Sequence, residues 1–115
     1  MFSPIILDQK DQLENIIAPS LNPQIKGVFV FKHSTRCGVS RMVLNELKRD
    51  WDLNDDVEFW ILDLLKFREI SNHIADRFRV VHESPQLLYI SDGLPKQNAS
   101  HYEANMETVH RWLND

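Results

Sequence analysis

The sequence predicts an α/β sandwich on a mixed sheet, a leading helix followed by the order β-α-β-α-β-β-α. Three observations carry this. Two short apolar runs, residues 27–32 and 57–63, read as buried strands. Each is followed by a segment whose apolar residues recur at helical spacing. Near the C-terminus, Asp92-Gly93 marks a tight turn between two further strands. Two successive β-α units predict parallel strands joined by right-handed crossovers, and the closing hairpin adds an antiparallel pair.

Each element has its own local signal. Asp8 is expected to cap the first helix, which carries Leu13, Ile16 and Ile17 on one face and ends near Pro19. Residues 20–26 read as loop. The run Gly27-Val28-Phe29-Val30-Phe31-Lys32 is β-branched and aromatic, hence a strand. From Gly38 to about Asp50, Val39, Met42, Val43 and Leu47 fall on one helical face. Asn54-Asp55-Asp56 is turn chemistry. Val57, Phe59, Trp60, Ile61 and Leu62 then suggest a strand covered on both faces. Ile70, Ile74, Ala75 and Phe78 mark the next helix. Residues 86–90 form a strand after Ser84-Pro85, and a weaker strand covers 94–100, confined to an edge by Pro95. Asn105 caps a final helix with Met106, Val109 and Leu113 inward. Trp51, Trp60 and Trp112 belong to the core.

Composition narrows the function. One domain spanning residues 1–115 suffices for a core without disulfides or structural metal. Apolar residues make up 43% and charged residues 26%, a globular balance. With 17 acidic against 13 basic side chains the formal charge is −4, which argues against nucleic acid as the main partner. No apolar run is long enough for a bilayer, and the N-terminal residues lack the basic start of a signal peptide. The single cysteine allows no internal disulfide, so a cytoplasmic, reducing location is expected.

That cysteine, Cys37, lies where the strand ending at Lys32 gives way to the helix beginning near Gly38. The first turn of a helix offers unpaired N–H groups and the positive end of the macrodipole, both of which stabilise a thiolate over a thiol. Lys32, Arg36, Arg41 and His33 add basic side chains close in sequence. A lone cysteine is commonly a packing residue, but packing has no need of a strand–helix junction. Cys37-Gly38-Val39-Ser40 forms a C-x-x-S tetrad. In a C-x-x-C site the second thiol, one turn along, resolves the mixed disulfide; Ser40 has no thiol to do so. Ser84-Pro85 before a strand is the second feature, and a cis peptide there would present the Ser84 backbone to a substrate. His82 and His101 flank that segment and the hairpin, and are candidates to line the thiol-binding face. His73 and His110 show no metal-ligand spacing, and His33 precedes the helix that carries Cys37, so no metal site is expected.

Phe31-Lys32-His33-Ser34-Thr35-Arg36-Cys37-Gly38-Val39-Ser40, His82-Glu83-Ser84-Pro85-Gln86 and Ala99-Ser100-His101-Tyr102 resemble segments of the YtxJ-like, or monothiol, bacilliredoxins. The resemblance covers nearly the whole chain. It implies a thioredoxin-like three-layer sandwich, a nucleophilic Cys37 and a cis Pro85. Thr35, Arg36, Gly38, Ser40, Ser84 and Pro85 follow as the substrate-binding surroundings. It further implies that the protein removes bacillithiol from mixed disulfides on oxidised proteins. Bacillithiol would then be a co-substrate rather than a bound cofactor, and another thiol or a partner reductase would recycle Cys37. The chain departs from many thioredoxins in carrying Phe31 where they hold a buried acid, six residues before the nucleophile. Two other readings remain. The tetrad is similar to the C-G-F-S of monothiol glutaredoxins, which share an iron–sulfur cluster between subunits with the help of glutathione. A non-catalytic thioredoxin-like binding module is the third.

Overall fold

The sheet is where the sequence pattern and the backbone meet most directly. In the computed structural model, which describes residues 2–114, five strands stand in the order β1-β3-β2-β4-β5. They are β1 (Ile5–Ile6), β2 (Gly27–His33), β3 (Val57–Asp63), β4 (Gln86–Ser91) and β5 (Leu94–Ser100). Helices α1 (Leu13–Ser20), α2 (Gly38–Asp50), α3 (Arg68–Phe78) and α4 (Met106–Asn114) cover its two faces. β2 lies at the centre, parallel to β3 and antiparallel to β4. All seven of its residues are buried.

The pleat sends alternate side chains to opposite layers. Val28, Val30, Trp60, Leu62, Leu88 and Ile90 meet α1 and α3 on one face. Phe29, Phe31, Phe59 and Leu87 meet α2 and α4 on the other. The two layers are what make the central strands read as continuous apolar runs.

Several expectations need correction. The second β-α unit does not return a parallel strand: β4 comes back antiparallel to β2. β1 is a two-residue parallel edge beside β3, too short to show in the sequence pattern. Asp8 does not cap the first helix. Instead the Gln12 side chain accepts the Asp8 and Gln9 N–H groups at 2.8 Å each, over a 3₁₀ turn at Lys10–Gln12 that leads into α1. α1 does end near Pro19, at Ser20. On α2 the inward stripe is Ser40, Val43 and Leu47, while Met42 stays 39% exposed.

The other signals hold. Asp92 and Gly93 both take positive φ, 55° and 73°, as a tight hairpin turn of this kind requires. β5 is an edge strand. Asn105 caps α4, its Oδ1 accepting the Thr108 N–H at 2.9 Å. Trp60 and Trp112 are buried, and Trp51 packs in the α2–α4 layer. No helix among the described residues is long and apolar enough to cross a membrane.

Candidate active site

β2 and β3 end, and β4 begins, at one end of the sheet, because Lys32 pairs with both Leu62 and Gln86. Everything that leaves or joins those strand ends therefore collects there, as is usual for α/β folds. β2 feeds the turn 34–37 into α2. β3 feeds the loop into α3, which is tied back by the Leu64 N–H donating to the His33 carbonyl at 3.0 Å. β4 is preceded by Ser84-Pro85, whose peptide bond is cis. The Pro85 carbonyl accepts the His101 N–H at 2.9 Å, which brings the end of β5 to the same place.

Cys37 is the N-cap of α2, with extended backbone (φ −97°, ψ 121°). Its own carbonyl accepts the Arg41 N–H at 3.0 Å, and its N–H donates to the Ser34 carbonyl at 3.1 Å, closing the turn. Cys37 is half-buried. At this position a side chain sits beside the helix's unpaired N–H groups, and no acid occupies the first turn of α2. Thr35, Arg36 and Gly38 are exposed around it. The Arg41 guanidinium donates to the Thr35 carbonyl at 3.0 Å, so that charge braces the turn.

Ser40 is placed otherwise than a substrate contact requires. It is fully buried. Its Oγ accepts the Ser34 N–H at 3.0 Å and lies 2.7 Å from His33 Nδ1. Burial, with Arg41 adding to it against the opposing pull of Asp63, pushes the His33 imidazole below its ordinary pKa. A neutral ring accepting the Ser40 hydroxyl proton satisfies all three groups. His33 and Ser40 thus clamp the turn from within. His82 is half-buried, and His101 is exposed with a positive φ of 55°.

Lys32 corrects a second expectation. It does not add its charge beside the thiol. Its side chain crosses to the α3 face and is completely buried, donating to the Ser71 carbonyl at 3.2 Å. Its Nζ lies 3.4 Å from His82 Nδ1, which is also 3.1 Å from Ser71 Oγ. Burial, helped by the nearby Arg68, lowers the Lys32 pKa to about 8. The sequence signal for this contact is a lysine closing an apolar strand on its covered face.

A family model described as monothiol bacilliredoxin BrxC matches residues 5–109. The chain belongs to the monothiol bacilliredoxin family. A solved structure described as a putative oxidoreductase with a thioredoxin fold is 28% identical, covering 97% of this chain and 94% of its own, with a TM-score of 0.77. Thioredoxins from Malassezia sympodialis and Trypanosoma brucei brucei share the fold at 16% and 15% identity. Their TM-scores are 0.73 and 0.72, and they cover 99% and 98% of this chain and 90% and 93% of theirs. Family and fold together give the chain a thiol redox function. Among the described residues, no group of three or more His, Cys, Asp or Glu side chains is gathered as a metal site.

Proposed function

We propose that this bacilliredoxin is a monothiol thiol–disulfide oxidoreductase that removes bacillithiol from oxidised proteins through Cys37. The observation that carries the reading is the half-buried cysteine at the cap of α2, followed one turn later by a buried serine. The thiolate is the form of a cysteine that attacks disulfides. Thr35, Arg36 and Gly38 on one side, with the Ser84-Pro85 backbone and the histidines His82 and His101 on the other, are the surroundings that would receive the mixed disulfide. Ser40 and His33 act behind it, holding the turn.

The steps balance without a bound cofactor. The Cys37 thiolate attacks the bacillithiol sulfur of the mixed disulfide. The S–S bond to the substrate protein breaks, and that protein's thiolate leaves to take a proton from water. Cys37 is left in disulfide linkage with bacillithiol. Ser40 cannot attack this adduct, so a second thiol, from free bacillithiol or a reductase, attacks the bacillithiol sulfur and returns Cys37 as thiolate.

Incubation with oxidised bacillithiol followed by intact mass spectrometry tests the reading. One bacillithiol adduct on the wild type and none on Cys37→Ala is expected. A protein that forms no adduct and instead purifies with an iron–sulfur cluster would transfer the assignment to cluster carriage. A protein that forms neither would be a binding module.

A further inference from the structure

The polar groups buried under the α3 face converge on one short segment, the loop 79–85 that links α3 to β4. Arg79 ends α3 in the left-handed conformation, and the Val80 N–H donates to the Ala75 carbonyl at 3.1 Å. Gln86, fully buried, donates its Nε2 to the Val81 carbonyl at 3.0 Å. The next residue, His82, is held by Lys32 and Ser71. Glu83 accepts from the Ser100 hydroxyl. Lys32 and Gln86 are paired across β2 and β4, so their side chains leave the same face of the sheet. A charge-bearing side chain on the central strand is thus used to fix the residues that lead into Ser84-Pro85.

The chemistry of the contact sets the state of the ring. At neutral pH Lys32 is mainly ammonium and can only donate, so His82 Nδ1 must accept. Burial, then Lys32, then Arg68 push the His82 pKa down against the opposing Glu83, so the ring is neutral. An accepting Nδ1 on a neutral imidazole leaves the proton on Nε2. Ser71 Oγ shares the same nitrogen.

We propose that Lys32 is a positioning residue of the thiol-exchange site: its buried ammonium locks His82 as the Nε2–H tautomer and so fixes the loop 79–85 at the end of the sheet that also carries the Cys37 turn. This rests on the exchange reading above. Lys32 itself touches no reacting atom. It acts through His82, much as an outer group orients a working side chain elsewhere.

Long-range ¹H–¹⁵N spectroscopy of the histidine rings at pH 7.5 tests the lock first. The Nε2–H pattern is expected for His82 in the wild type, and a shift toward the other tautomer in Lys32→Met. A wild-type ring carrying its proton on Nδ1, or a ring indifferent to Lys32→Met, overturns the lock. Exchange with a bacillithiolated peptide should slow by about tenfold in Lys32→Met, the scale of a loosened positioning group, while alkylation of Cys37 by iodoacetamide stays within about twofold. Equal exchange rates overturn the positioning role. Should Lys32→Met fail to fold, His82→Ala must show the same loss, and wild-type exchange by that variant contradicts the proposal. A wild type that exchanges with no disulfide sinks the functional reading instead, and the ring spectra alone then decide the lock.

Discussion

Ser40 occupies the place of a resolving thiol, and its hydroxyl is engaged entirely inside the protein. Replacing it by alanine leaves the Ser34 N–H and His33 Nδ1 without their partner. A loss of about 1–3 kcal/mol is expected in urea unfolding of Ser40→Ala, since a donor and an acceptor left unsatisfied inside the protein cost their desolvation. Lys32 makes a different kind of contribution. Its pKa falls from 10.5 to about 8 on folding, so between these values the unfolded chain binds more protons than the native one. Stability attributable to Lys32 should therefore rise as pH increases from about 8 to about 10.5. Urea unfolding of wild type and Lys32→Met across that range gives the difference, and a wild-type curve parallel to that of the variant would remove the buried-ammonium account. Cys37 itself was legible at this scale, because its position between an apolar strand and an amphipathic helix is a local signal. The partners of Ser40 and Lys32 were not. Those of Ser40 depend on how the turn after β2 folds back, and those of Lys32 lie 39 and 50 positions away on α3 and the loop that follows it.

Among the elements, β2 is the most constrained. A Cβ built on Gly27 would stand 2.2 Å from Tyr89 Cε1, and the Tyr89 hydroxyl donates to the Lys26 carbonyl at 3.0 Å. Gly27→Ala must push that ring out of its stack with Phe29 and Trp112, so a destabilisation of about 1–3 kcal/mol by urea unfolding is expected. No measurable change would mean the ring moves freely. The elements themselves were readable in sequence wherever period and punctuation agreed, as in α2, β3 and the Asp92-Gly93 turn. Reading failed where a tertiary contact outweighed a local preference. Met42 keeps helical spacing with Val39, Val43 and Leu47, yet the buried stripe includes Ser40 because its hydroxyl has two partners inside. Asp8 is a good cap by type, but a 3₁₀ turn capped at Gln9 leads into α1, and Gln12 ties down the Asp8 and Gln9 N–H groups. The two residues of β1 carry no period at all.

At the scale of the whole molecule, the sheet order explains why the site lies where it does: one end of β2 gathers the Cys37 turn, the Ser84-Pro85 segment and the end of β5. The antiparallel return of β4 was the main feature the pattern of elements did not give, since a second β-α unit predicts a parallel return and the reversed direction shows only in the pairing with β2. His33 and His82 make this end acid-sensitive. Both are held below their unfolded pKa of about 6.5, chiefly by burial, so on acidification the unfolded state takes up protons first. Their contribution is neutral above that value, and stability falls as pH drops below about 6.5. Thermal unfolding at pH 7.5 and 5.5 should show the loss, and it should shrink in His82→Ala.

Transfer of the thiol between two proteins is the most direct measurement of all. A substrate protein carrying bacillithiol on one cysteine, mixed with reduced enzyme, should lose that mass while Cys37 gains it, one for one, with no free bacillithiol until a second thiol is added. Release of bacillithiol without an adduct on Cys37, or equal transfer by Cys37→Ala, would contradict the account.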